Sequence, residues 1–194
     1  MISSTKSILA MKNLLILTIL ILSSDVTLHA QSFRDADKSP MDQAYFPDNF
    51  AHDRKDGEKA IMRVTYSRPA KNGREVFGKL VPYDKVWRTG ANESTEIKLY
   101  QDVTFGDKKL SAGTYTLFSI PTANEWTIIF SSDLDHWGSY SYKESNDVLR
   151  VKAKTTEGKK EVENFAIQFE SMSKNSGVMR LAWDNVVAEL PFTF

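Results

Sequence analysis

The sequence predicts an all-β fold: an antiparallel β-sandwich or jelly roll of about eight or nine strands with one long irregular loop. Three observations carry this. From residue 59 onward, apolar side chains recur with a period of two, the mark of half-buried strands. Turn-forming residues punctuate the chain about every 8–12 residues. No stretch shows the longer apolar period of an extended helix.

The elements follow in order. Ile61, Val64 and Tyr66 define a first strand, which Pro69 ends. Residues 96–100 form a second, with Ile97 and Leu99 on one face. Val103 and Phe105 lead into Gly106-Asp107, a two-residue hairpin turn with glycine first, and residues 108–110 return from it. Residues 114–120 form a strand opened by Ala112-Gly113 and stopped by Pro121. Residues 126–130 are nearly all apolar or β-branched, as in a strand buried on both faces. Residues 147–154 turn Leu149, Val151 and Ala153 inward and Arg150, Lys152 and Lys154 outward. Thr156-Glu157-Gly158-Lys159 reads as a turn. Residues 164–172 alternate Phe165, Ile167 and Phe169 with polar neighbours. After a turn at Asn175-Ser176-Gly177, residues 178–183 and 186–194 close the domain as two strands. The chain ends on Phe194, as many outer-membrane barrels do. Short strands and Pro191 favour the sandwich instead.

Ahead of the domain lie two different segments. Lys12 precedes an apolar run, residues 14–22, and a more polar stretch ends in Leu28-His29-Ala30. This is the three-part pattern of a secretory signal occupying residues 1–30, with Met11 an alternative start and cleavage expected near Ala30. The run falls short of the roughly 20 residues that span a bilayer. The expectation is a periplasmic or secreted protein with no stable membrane insertion after cleavage. Residues 31–58 are polar, contain Pro40 and Pro47, and read as an irregular lead-in anchored by Phe33, Tyr45, Phe46 and Phe50. Residues 59–194 are the single domain.

Composition narrows the function classes. The absence of cysteine excludes a lipid-anchored lipoprotein, disulfides and thiolate chemistry. Lys+Arg and Asp+Glu both total 25, without the basic excess of a nucleic-acid binder. Only His52 and His136 lie beyond residue 30, so a three-histidine zinc site is impossible. Asp133, Asp135 and His136 lack the spacing of a calcium loop. No metal or other cofactor is expected. No nucleophile-elbow, phosphate-loop or dinucleotide motif is present.

Residues 67–93 form an unusually long non-strand stretch, the kind of loop that often carries function. Arg68 and Arg88 offer planar donor forks for a carboxylate, phosphate or sugar hydroxyl. Tyr83 adds an aromatic face, and Asn92 can donate and accept. Glu93 is the one candidate acid or base. The rival reading makes Arg68, Arg88 and Glu93 a salt-bridged network that pins the loop. A second cluster, residues 133–142, offers Trp137 and Tyr140 for stacking against a sugar or peptide. Its rival reading packs Trp137, Tyr140 and Tyr142 as a plug over one end of the sandwich.

Several strings resemble one family: Tyr66-Ser67-Arg68-Pro69, Val76-Phe77-Gly78, Leu80-Val81-Pro82-Tyr83, Ala112-Gly113-Thr114-Tyr115 and Asp147-Val148-Leu149-Arg150. The most distinctive is Val86-Trp87-Arg88-Thr89-Gly90-Ala91-Asn92-Glu93. Together they are similar to the family catalogued as domain of unknown function 2911, over roughly residues 59–194. That resemblance implies an exported β-rich domain of the Bacteroidetes type. It brings no activity and no catalytic residues.

The reading favoured by the residues is a periplasmic binding module for a small polar ligand, a glycan or an anionic fragment. Its site would lie between residues 68–93 and 137–142. One alternative is a glycan-directed hydrolase using Glu93, which needs a second carboxyl about 5–10 Å away across a cleft, with Asp84, Glu96 and Asp135 the candidates. Another is a structural or interaction protein of the cell envelope.

Overall fold

The structure is a computed structural model and describes residues 32–194, so the expected signal at residues 1–30 lies outside the described residues. Nine strands are present among them. They are β1 (Met41–Phe46), β2 (Met62–Ser67), β3 (Thr95–Leu99), β4 (Val103–Phe105), β5 (Lys108–Leu110), β6 (Gly113–Ile120), β7 (Glu125–Ser131), β8 (Asp147–Ser173) and β9 (Ser176–Thr193). One short α-helix, α1 (Phe50–Asp53), follows β1, and a single 3-10 turn, Glu144–Asn146, precedes β8. The strands form a single antiparallel sheet in the order β1-β2-β3-β6-β7-β8-β9-β4-β5, which is not closed. No described helix is long and apolar enough to cross a membrane.

The all-β expectation holds, and so do the short strands from β2 to β7. Alternation explains them: Met62, Val64 and Tyr66 of β2 and Ile97 and Leu99 of β3 are buried, while Arg63, Thr65, Glu96 and Lys98 between them are not. In β7, Trp126, Ile128 and Phe130 enter the main core, and Ile129 is buried on the opposite face. Ile129 pairs with Phe118 of β6, and the loop after β7 covers that face through Tyr142, whose ring meets Phe118 edge-on at 5.2 Å.

Three sequence expectations need correction. The lead-in, read as irregular over residues 31–58, contains β1, which pairs along β2 from Met41↔Ser67 to Phe46↔Met62. Only Phe46 of β1 is fully buried, against Phe169, Phe192 and Phe194, so the segment carries almost no apolar signal. Its partner edge makes it a strand. Phe33 is exposed. Residues 156–159 are no turn. β8 runs on through them, with Glu157 opposite Val186 and the next pair at Val162 and Asp184. Five steps on β8 thus face two on β9, a large bulge that bends the hairpin without reversing the chain. The two expected C-terminal strands are accordingly one, β9, with Asp184 in the left-handed region at the bend (φ 55°). Pro191 lies beyond the last β8–β9 pair, Lys154↔Glu189, where its missing N–H costs no ladder bond on that side.

The bend brings the far half of β8 back against β1 and β2. The Tyr66 hydroxyl donates to Ile167 O (3.3 Å) and accepts from Ile167 N (3.0 Å), while Phe165 N donates to Pro69 O (3.0 Å). Between these layers sits a cluster of rings from Phe77, Trp87, Trp126, Phe165 and Trp183, with centroid separations of 4.9–6.3 Å. Phe77 and Trp87 belong to the irregular stretch, so the core itself holds that loop in place.

Candidate functional site

The long loop is irregular but firmly built. Trp87 continues the lane of β3, exchanging backbone hydrogen bonds with Ser119 of β6 (2.7 and 2.9 Å). Lys71 joins it to the β8–β9 bend through Asp184 and Glu161, both at 2.7 Å. After Trp87 the chain doubles back on two left-handed residues, Thr89 (φ 56°) and Asn92 (φ 57°). Thr89 is buried, and a β-branched residue at positive φ is uncommon. Its hydroxyl meets Ser119 Oγ at 2.9 Å and its carbonyl accepts from Thr95 Oγ1 at 2.6 Å, which holds the turn. Gly90 passes so near β2 that a β-carbon there would lie 3.0 Å from Ser67 O. The distinctive Trp87 to Glu93 string thus encodes a tight backbone path.

That path delivers residues 92–94 to the loop after β7. Asn92 O accepts from Gly138 N (2.9 Å), Glu93 bridges Trp137, and Ser94 N donates to His136 O (2.9 Å). Two of the predicted site residues, Glu93 and Trp137, come together here. They border a groove of about 380 Å³ over β2 and β3, which Glu96, Asp135 and His136 also line. Its lining carries three carboxylates and no lysine or arginine. Trp137 leaves 59 % of its surface exposed, so an indole face is open to a ligand. Of the expected aromatic plug, only Tyr142 packs down. Its hydroxyl donates to Asp147 Oδ2 at 2.7 Å, and burial, followed by that carboxylate, pushes its pKa up to about 12.

The remaining predicted residues have other employment. Arg68 reaches away from the groove, with Nη1 on Asp42 Oδ2 (2.9 Å) and Nε on Phe165 O (3.0 Å). It stitches β1, β2 and β8 together, with a carboxylate partner other than Glu93. Arg88 lies against Gly138, with Nη1 3.5 Å from Asn92 O. Gly138 (φ 71°) has no room for a side chain, since a β-carbon would meet Tyr140 at 2.8 Å and Arg88 at 2.9 Å. Tyr140 is otherwise exposed. Asn92 Nδ2 donates to Asp37 Oδ1 (2.9 Å). The Ser39 N–H first, and then that bond, hold the Asp37 carboxyl below the usual carboxylate range. Tyr83 packs on Gly78, outside the groove. The expected Arg68–Arg88–Glu93 salt-bridged network is not formed, and Glu93 is exposed with no ion-pair partner among the described residues.

Of the three carboxyls the sequence offers as partners for Glu93, Glu96 and Asp135 line the groove and Asp84 does not; the place of His136 there was not anticipated. The period-two pattern carried one usable signal, since Thr65 of β2 pairs with Glu96 of β3 on their outer face. A larger groove, about 670 Å³, lies between the β4–β5 hairpin and β8. Its three cations have partners: Arg150 has Asp147 and Glu144, Lys152 has Glu125, and Lys108 donates to the Arg150 carbonyl. Among the described residues no group of three or more His, Asp or Glu side chains could hold a metal.

Comparison with curated proteins gives no match, and comparison with solved structures gives none. A family model does match, over residues 48–192, which takes in every strand from β2 to β8, most of β9, both loops and all of the groove lining but Met41. By that match, the chain belongs to the family described as protein of unknown function, DUF2911.

Proposed function

We propose that this protein is a binding module for a neutral or cationic polar ligand, with glycans the favoured class, held in the groove beside Trp137. The observation that carries the reading is the open indole face set among Glu93, Glu96 and Asp135. An aromatic face takes the C–H face of a sugar ring, and carboxylates accept from its hydroxyl or amino groups. The same carboxylates repel an anionic ligand, which disfavours the anionic alternative raised by Arg68 and Arg88. The signal-like residues 11–30 support action in the periplasm or outside the cell. N-terminal sequencing of the protein recovered from cell fractions tests that directly.

The binding test is an NMR titration of the isotope-labelled protein with neutral and amino-sugar oligosaccharides. The expected result is saturable shifts at the Trp137 indole N–H and at Ser94. Trp137→Ala should weaken binding on the order of tenfold, the scale of a lost aromatic contact. No shift with any oligosaccharide, or equal affinity in Trp137→Ala, rejects the reading. Glycan hydrolysis is the second reading, supported by three carboxylates in one groove. It predicts turnover abolished in Glu93→Gln, whereas a binding module shows none in the wild type.

A further inference from the structure

The loop between β7 and β8 contains an arrangement that no motif in the sequence announces. Ser141 Oγ lies 2.7 Å from His136 Nδ1, and His136 Nε2 lies 3.1 Å from Asp133 Oδ2. A hydroxyl, an imidazole and a carboxylate are thus hydrogen-bonded in series. We propose that Ser141 is a nucleophile activated by His136, with Asp133 as the positioning residue, and that the site cleaves small acyl esters presented at the protein surface.

The physical argument begins at the carboxylate. Asp133 is fixed from several sides. Its carbonyl accepts from Thr116 Oγ1 (2.6 Å), its N–H donates to Ser131 Oγ (3.3 Å), and its Oδ2 also accepts from Asn146 Nδ2 (2.9 Å). A carboxylate held on Nε2 keeps the proton on that nitrogen, which leaves the Nδ1 lone pair facing the serine. The imidazole is itself held. Its carbonyl takes both the N–H and the hydroxyl of Ser94, its ring rests near Phe118 at 6.2 Å, and its side chain is only 13 % exposed. Ser141, by contrast, is exposed. The base is sheltered and oriented while the nucleophile is open, which is the division of labour that acyl transfer needs. Relative to the familiar serine-hydrolase arrangement the two ring nitrogens exchange partners, and their roles exchange with them. The backbone N–H of Ser141 donates to no other group among the described residues, so it is free to meet a developing oxyanion.

The chemistry balances without any further reagent than water. Ser141 Oγ bonds to the acyl carbon as its proton passes to His136 Nδ1. Collapse of the adduct breaks the bond from that carbon to the alcohol oxygen, and His136 returns the proton to the departing alkoxide. Water then attacks the acyl-serine by the same route, releasing the carboxylic acid and restoring the hydroxyl. With Ser141 exposed at the surface, the fitting substrate is a small acyl group projecting from a larger molecule.

The experiment uses the full chain with 4-nitrophenyl acetate and, separately, a fluorophosphonate, followed by intact-mass and peptide mass spectrometry. The expected result is a covalent adduct at Ser141, absent in Ser141→Ala and unchanged in the control Ser145→Ala. His136→Gln should slow labelling by at least about a hundredfold, the usual contribution of a general base. Asp133→Asn should slow it and change its pH profile, which a merely structural carboxylate would leave in place. Thermal melts verify that each variant is folded. An unmodified Ser141 in the folded wild type, an adduct only at other residues, or equal labelling in His136→Gln each overturns the proposal. None of these readouts depends on glycan binding in the groove.

Discussion

Replacing Tyr66 by phenylalanine removes one oxygen from the interior and tests how the bent hairpin is held. That hydroxyl satisfies both backbone groups of Ile167, accepting at 3.0 Å and donating at 3.3 Å, across 101 residues of sequence. The ring contact with Phe165, edge-on at 5.7 Å, survives the change. The shorter bond contributes about 1 kcal/mol net, the longer one less. A peptide group left buried without partners adds about 1 kcal/mol or more. Ile167 is 1 % exposed, but it borders a polar groove through which water can relieve part of that loss. The expected destabilisation is therefore about 2 kcal/mol, or a melting temperature lower by about 4–8 °C for a domain of this size. Calorimetry measures the total, and hydrogen exchange locates it, since the Ile167 amide should lose protection while β6 and β7 keep theirs. A melting temperature within about 1 °C of wild type, or an unchanged Ile167 amide, would show that the hydroxyl does not join β8 to β2.

Other expectations follow from the same packing. Phe165→Ala empties the centre of the ring cluster and should cost about 3–5 kcal/mol, read by chemical denaturation. Gly90→Ala puts a methyl 3.0 Å from a backbone oxygen that cannot yield, and should cost about 1–3 kcal/mol while spreading chemical-shift changes to Ser94 and Trp137. Alkaline titration should also destabilise the fold. Tyr142 is pushed up to about 12 and Tyr66 is raised as well, burial being the first cause in both. The folded state therefore favours the protonated phenols. Their contribution is whole below about pH 10 and is lost as pH climbs toward 12, so Tyr142→Phe should flatten that decline in a pH series of melts.

The strands that could be read from the sequence are those whose burial alternates locally. β2, β3, β6 and β7, and the Gly106-Asp107 hairpin, declare themselves within their own few residues. β1 does not, because one buried phenylalanine in six residues makes no period. The continuity of β8 was hidden for the opposite reason. Thr156-Glu157-Gly158-Lys159 has turn chemistry, but the three extra residues are absorbed as a bulge because β9 continues alongside. At the site, the residue types were legible and their pairings were not. Glu93 meets Trp137 through backbone atoms 44 residues apart, and backbone leaves no trace in side-chain pattern. Arg68 chose Asp42, from a segment that carried no strand signal. Asp133, His136 and Ser141 stood close in sequence, but their spacing acquires meaning only once the loop is folded.

The chain has four tryptophans, and the fold divides them three to one. Trp126 and Trp183, both buried, each lie about 6 Å from the half-buried Trp87, close enough to share excitation with it and sheltered from an aqueous quencher. Trp137 stands alone at the groove, open to iodide or acrylamide. Trp137 is therefore the main source of the emission that such quenchers remove, and shielding by a bound molecule would appear as a fall in that fraction. The protein carries its own optical probe of the groove, with an internal reference built from its core.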